Sequence, residues 1–305
     1  FLILSCFFIY VLWPYLWDNP LGNLLFALKN VVKIQQDIIL VNYYFGEYLP
    51  SDLVPWHFRL VWFLITTPVI ILFLFVLGLV LFFKEISKKI SSTLDNKKDF
   101  TKKQFINIFL FMVFLLSFFI LTEFNKSKYG GWRHLYFLYP IVIYFTLFFI
   151  SHLLNNSSNI FRNTIFIFIF LNLINNLYWT IKNHPHQYVF FNFLTKNYAL
   201  KNFDLDWWGI SHKTSLDYIL KNSKKDKIKV FAEGFTSLKD TYLYLENSEK
   251  KRVILTGIEE ADYVIDSKMK RIRVNNNIEK NNDFKHIYEL NIDGQAINAL
   301  YIRKK

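Results

Sequence analysis

The chain has 305 residues, 53% of them hydrophobic and 20% aromatic, with a mean hydropathy of +0.20. Such a composition excludes an intrinsically disordered chain and is unusually apolar for a soluble domain. A single cysteine, Cys6, excludes a disulfide scaffold and a Cys-based zinc site; the formal net charge of +12 suits anionic lipid or nucleic acid, depending on where the cations sit.

The chain opens inside an apolar run at 1–13, shorter than the roughly 20 residues that span a bilayer. No basic segment precedes the run and no small-residue cleavage site follows it, which argues against a signal peptide. It reads as the end of a transmembrane helix that starts further upstream. The expectation is that the chain is the C-terminal part of a longer protein. Asp18-Asn19-Pro20 then reads as a helix start. Leu21, Leu24, Leu25, Leu28, Val31, Val32 and Ile34 recur at helical spacing, opposite Asn23, Lys29, Asn30, Lys33 and Gln36. That pattern predicts an amphipathic helix, lying along the membrane interface or packed against its neighbours. Trp13, Tyr15, Trp17, Trp56 and Trp62 flank spans, at the depth amphipathic rings prefer.

Four further apolar runs follow, at 60–83, 105–122, 135–151 and 161–179. With the opening run they make about five spans, the first incomplete. Pro68 and Pro140 fall inside predicted spans and are expected to kink them. Asn163, Asn172, Asn175 and Asn176 in the last run are expected to bond to neighbouring helices. Segment 84–104 carries Lys84, Lys88, Lys89, Lys97, Lys98, Lys102 and Lys103, which predicts a cytoplasmic loop. Segments 14–59, 123–134 and everything after Trp179 are then expected outside. The outer loop 123–134 is itself basic, with Lys126, Lys128 and Arg133 against Glu123.

Composition changes near residue 182, dividing a membrane region, 1–181 with its interfacial outer loop 14–59, from a C-terminal region, 182–305. Segments 227–233, 251–255 and 262–265 read as short buried strands, and 211–220 and 237–245 as helices. The alternation predicts a small extracytoplasmic α/β domain. Asp293-Gly294 between 287–291 and 296–302 predicts a terminal hairpin, and Asn275-Asn276-Asn277 a loop. Charge in this region is balanced and no basic stripe is interleaved with aromatics, which argues against nucleic acid as a partner. No Gly-rich phosphate loop or Gly-x-Ser-x-Gly elbow is present. His184-Pro185-His186 is weak as a metal site, so no metal and no cofactor are expected.

Segment 128–140, KYGGWRHLYFLYP, resembles the bacterial polytopic glycosyltransferases of the family 39, protein O-mannosyltransferase-like kind, which have the GT-C architecture. Arg133, His134 and Pro140 match their basic-aromatic loop leading into a late span. Trp13-Pro14-Tyr15-Leu16-Trp17 with Asn19-Pro20-Leu21-Gly22-Asn23 is similar to their entry to an interfacial helix. Segment 184–192, HPHQYVFFN, followed by Asp206-Trp207-Trp208-Gly209, resembles their junction with the C-terminal domain. The resemblance covers about residues 10–215. It implies sugar transfer from a polyprenyl-phosphate-linked donor to an acceptor at the outer face of the cytoplasmic membrane, with membrane lipids as the other partner. It also implies a catalytic carboxylate upstream of Phe1. The outward acids of this chain, Asp18, Asp37, Glu47, Asp52 and Glu123, therefore read as caps or surface groups. A non-catalytic membrane protein of glycan transport or assembly is the other reading; an upstream outward carboxylate separates the two.

Lys128, Arg133 and His134 are the candidate contacts to the lipid-linked phosphate. Arg offers a planar fork to phosphate oxygens, Lys a mobile point charge and His a hydrogen bond or a proton. Gly130-Gly131 is expected to turn the backbone close to the ligand. Trp132, Tyr136 and Tyr139 are the candidates to pack on isoprenoid or sugar. The alternative use of the cations is to snorkel to lipid headgroups.

Overall fold

The computed structural model describes residues 2–37, 40–94, 100–123, 128–206, 208–233, 238–267, 278 and 281–304. Lys97, Lys98, Lys126, Trp207, Ser237 and positions 275–277 lie outside the described residues, and of Asp37 and Glu123 only the backbone is described. Four helices are long and apolar enough to cross a membrane, over Val69–Ser91, Lys102–Ile120, Arg133–Asn156 and Asn159–Lys182. A C-terminal β-sheet domain comes after them. The chain is a helical membrane protein with a small C-terminal domain.

Helix α1 (Leu2–Leu12) is apolar, and α2 (Pro20–Asp37) is the predicted amphipathic helix. Asn19 caps α2 with its side-chain oxygen, accepting from Gly22 N at 3.1 Å. Leu21, Leu25 and Leu28 on α2 are exposed. The next element is one that sequence patterning does not predict, a hairpin of β1 (Val41–Tyr44) and β2 (Glu47–Pro50). Phe45 and Gly46, at φ 52° and 87°, make its turn in the left-handed region.

The first long apolar run is two helices, not one kinked span. α3 (Phe58–Thr66) stops at Thr67, whose ψ of 134° is the extended conformation a residue before proline prefers. α4 (Val69–Leu94) restarts after Pro68 and supplies the span, which shifts from 60–83 to 69–91. Short α3 is instead a core helix that buries Phe58, Arg59, Trp62, Phe63 and Ile65. The break orphans carbonyls at the end of α3, and Asn192 answers them. Its side-chain amide donates to Leu64 O at 2.6 Å and Thr67 O at 3.0 Å, and its backbone N–H to Ile65 O at 2.8 Å. Asn192→Ala is expected to lower stability by about 2 kcal/mol, because buried carbonyls are left without donors. Thermal unfolding in detergent checks this; an unchanged midpoint would refute it.

α5 (Lys102–Glu123) begins with a capping box in which Thr101 and Gln104 exchange bonds at 2.9 and 3.3 Å. α6 (Tyr139–Asn156) carries Pro140 in its first turn, so this proline opens a helix where a kink was expected. α4 and α6 cross at Gly78, which lies against the Phe145 carbonyl. Asn107 on α5 accepts from the Tyr144 hydroxyl of α6 across the helix interface. α7 (Asn159–Lys182) is capped by Ser158, and the most apolar stretch of α7 buries no residue. Its Asn176 donates to Asn172 at 2.9 Å within the same helix, where bonds to neighbouring helices were expected.

α8 (Lys196–Asn202) and α9 (Ser211–Asn222) lead into the sheet. Strands β3 (Ile228–Glu233), β4 (Val253–Leu255) and β5 (Tyr263–Ser267) are parallel, with α10 (Leu238–Leu243) and α11 (Asn247–Lys250) between the first two. The hairpin β6 (Phe284–Ile292) and β7 (Gln295–Arg303) adds antiparallel to β5. The strand order is β4-β3-β5-β7-β6. Asp293 and Gly294 turn the hairpin at φ 50° and 82°, as the Asp-Gly pair predicts.

One apolar core is shared by the membrane helices and the C-terminal region. Tyr44, Phe58, Trp62, Trp132, Leu135, Phe145, Phe191 and Phe203 belong to it, and so do Ile292 and Ile297 from the terminal hairpin. Asp293 at the hairpin tip accepts from the Trp179 indole N–H at 2.8 Å and lies 3.7 Å from the Lys196 ammonium. A second core lies between α9 and the sheet, around Leu216, Ile228, Val230 and Ile265.

Candidate phosphate site

The site is built where the loop before α6 meets the β1–β2 hairpin and the segment after α8. Gly130 and Gly131 both adopt left-handed φ, 66° and 67°, which side chains rarely tolerate. A Cβ on Gly130 would stand 2.9 Å from Arg133 Nε, and one on Gly131 3.3 Å from the Trp62 ring. The glycine pair thus folds the loop back under the arginine. Lys128 anchors this loop to the hairpin. Its N–H donates to Ser51 O at 2.8 Å, its carbonyl accepts from Asn42 at 2.9 Å, and its ammonium donates to Val54 O at 3.2 Å.

Arg133 opens a 3-10 turn, Arg133–Leu138, that leads into α6. Its guanidinium carbon lies 4.9 Å from the Tyr129 ring centre and 4.6 Å from that of Trp208. Its Nε donates to His134 Nε2 at 3.2 Å. Stacking occupies the faces of a guanidinium, whereas its hydrogen bonds run in its plane. The two rings and the His134 bond together restrict the orientations open to the Arg133 guanidinium. Arg59, at the start of α3, is a second guanidinium within electrostatic reach of the His134 ring. Burial lowers its pKa to about 10, which leaves it charged at neutral pH.

Lys128, Arg133 and His134 are all half-buried; Arg133 and His134 are in direct contact, while the Lys128 ammonium is turned to Val54 O. The three aromatic candidates divide. Trp132 is 5% exposed, packs edge-on against Phe63 at 5.0 Å and donates to Thr66 Oγ1 at 2.9 Å. It is part of the core. Tyr136, packed on Trp132, is exposed and Tyr139 half-buried, so these two keep ring surface for a ligand. Asp18, Glu47 and Asp52 are exposed.

Trp208 reaches Arg133 from a tight turn. Gly209 N–H bonds to Asp206 O at 3.1 Å with Gly209 at φ 62°. The Asp206 carboxylate is fully buried and caps α9, accepting from the Ser211 hydroxyl and from the backbone at Ile210 and Ser211. It also accepts from Tyr188 OH at 2.7 Å. Burial pushes the Asp206 carboxyl above the usual carboxylate range, against these hydrogen bonds, which pull it down. Ser211 in turn accepts from Asn298 of β7 at 2.7 Å, and Ser215 donates to Asn298 at 2.8 Å. His186 pairs with Tyr188 OH at 3.1 Å and Thr214 at 3.2 Å, and His184 with Gln187 at 2.8 Å.

His212, next to this network, is fully buried and neither ring nitrogen has a hydrogen-bond partner among the described residues. Burial lowers its pKa from 6.5 to about 4. The folded state therefore binds this proton later than the unfolded state on acidification. Stability is full above about pH 6.5 and falls as pH drops toward 4, by about 2–3 kcal/mol. His186, also lowered by burial and by His184, acts in the same direction, and raised Asp206 acts oppositely. His212→Leu is expected to hold or raise stability at pH 7 and to flatten this acid limb, since it removes two unsatisfied polar atoms. Melting curves at pH 7.5 and 4.5 check this; an unchanged pH slope would refute it.

Sequence reasoning missed Arg59 and the Trp208–Arg133 contact. The signal for Arg59 is a lone cation directly before an apolar run. The contact joins positions 75 apart, and local patterning does not report such a distance. No family model, no curated protein and no solved structure matches this chain.

Proposed function

We propose that this protein is a membrane glycosyltransferase. It moves a sugar from a polyprenyl-phosphate-linked donor to an acceptor at the outer face of the bacterial cytoplasmic membrane, where its C-terminal domain also lies. The observation that carries this reading is the cationic cluster at the end of a membrane span. There the Arg133 guanidinium lies over the Tyr129 and Trp208 rings, Arg59 is within electrostatic reach of His134, and Lys128 lies five residues before Arg133 in the same loop. In glycosyl transfer the acceptor oxygen bonds to the sugar's anomeric carbon as the bond to the phosphate oxygen breaks. The leaving phosphate gains negative charge, and fixed cations at that position favour the transition state over the ground state. Tyr136 and Tyr139 offer ring surface to the isoprenoid or the sugar.

The test uses the full-length protein in proteoliposomes with polyprenyl-phosphate hexoses and pentoses carrying a radiolabelled sugar. The expected result is protein-dependent transfer with release of polyprenyl phosphate. Binding of geranylgeranyl phosphate is expected to exceed that of geranylgeraniol. Equal affinity for the phosphate and the alcohol would overturn the reading.

A further inference from the structure

We infer that Trp208 is a positioning residue for Arg133, held in place by the C-terminal domain through Asp206, Ser211 and Asn298; the inference rests on the phosphate reading of the Arg133 site. The indole is 53% exposed, yet its ring lies 4.6 Å from the guanidinium carbon. A large, exposed ring on a short turn is ordered only if something fixes the turn. Asp206 does so, two residues before Trp208. Its carboxylate is buried, bonded to Tyr188 OH at 2.7 Å and to Ser211, and Ser211 is bonded to Asn298 of β7 at 2.7 Å. Gly209, at φ 62°, closes the turn on the other side. A continuous chain of hydrogen bonds therefore runs from Asn298 of the terminal sheet through Ser211 to Asp206 and the Gly209 backbone, which flank Trp208.

A guanidinium on a flexible side chain samples many orientations, and each immobilised side chain costs binding free energy. Trp208 and Tyr129 remove part of that freedom before a phosphate arrives. The C-terminal domain thereby sets how well the membrane region holds an anion, although no cation of its sheet contacts Arg133 among the described residues.

The experiment is binding of geranylgeranyl phosphate and of geranylgeraniol to the full-length protein in detergent. It compares wild type, Trp208→Ala, Trp208→Phe, Asp206→Asn and Arg133→Ala, with Trp208→Ala also made in the Arg133→Ala background. Trp208→Ala is expected to weaken the phosphate about five-fold, the scale of one cation–π contact, and to leave the alcohol unchanged. Trp208→Phe retains most of the affinity, Asp206→Asn shows the same selective loss, and Trp208→Ala adds nothing once Arg133 is gone. Equal losses for phosphate and alcohol, or additive losses in the double variant, would overturn the inference, as would wild-type phosphate affinity in Asp206→Asn. A wild-type protein that does not prefer the phosphate overturns the phosphate reading itself, and that result is visible before any variant is compared.

Discussion

Alanine at position 133 is expected to lower the rate of sugar transfer by about 10²–10³, equivalent to roughly 2.7–4 kcal/mol of transition-state stabilisation. The side chain is not placed as a headgroup snorkel would be. Its guanidinium lies over the Tyr129 and Trp208 rings, and its Nε bonds to His134. A snorkelling arginine reaches for water and tolerates loss. A stacked one is pre-organised, and loss removes charge and geometry together. Arg133→Lys keeps the charge but not the planar fork, so it should recover only part of the rate. The measurement is turnover at saturating donor with protein levels matched. Near-normal turnover of the alanine variant would exclude the phosphate role.

The second large effect concerns the bundle. A Cβ at Gly78 would overlap the Phe145 carbonyl oxygen and stand 2.8 Å from its carbon. The obstacle is backbone, which no rotamer change relieves. Gly78→Ala must therefore push α4 and α6 apart, with a cost of about 3 kcal/mol or more, at the upper end for overpacked cores. Close helix approach at a glycine is the packing that membrane helices use where lipid is as apolar as their side chains. Val80, two residues on, is 58% exposed, and Val80→Ala is the matched control with little expected effect. Monodispersity and melting temperature in detergent report the difference. A Gly78→Ala protein as stable as the control would refute the close crossing.

Elements whose cause is local were legible in the sequence. The Asn19-Pro20 start of α2, the apolar runs of α5 and α7, the three parallel strands and the Asp-Gly turn all stand close to where periodicity and capping put them. The α3–α4 break was misread because a proline in a span is compatible with both a kink and a stop. What decides it is Asn192, more than 120 residues away in sequence, whose amide takes the freed carbonyls. The β1–β2 hairpin was missed because Phe45-Gly46 is not a usual turn pair, and its support comes from elsewhere. Asp204 pairs with Tyr43 through its side chain at 3.2 Å and its backbone at 3.1 Å. At the site, residue types pointed to Arg133 and its neighbours, but Trp132 could not be told from a ligand platform until its indole was found bonded to Thr66. Aromatic residues serve core and ligand equally well, and only burial separates the two uses.

The internal amide pair of α7 bears on how the chain is made. A helix entering the bilayer from the translocon must satisfy its polar groups before its neighbours have docked, and amides raise the cost of that step. In α7, Asn172 and Asn176 bond to each other one turn apart, so this part of the cost is met by the helix alone. Its most apolar stretch buries nothing against the other spans. α7 is thus suited to partition into lipid as an autonomous unit during synthesis. At its C-terminal end Trp179 donates to Asp293, a contact that needs the last hairpin and so forms only after that hairpin has been synthesised.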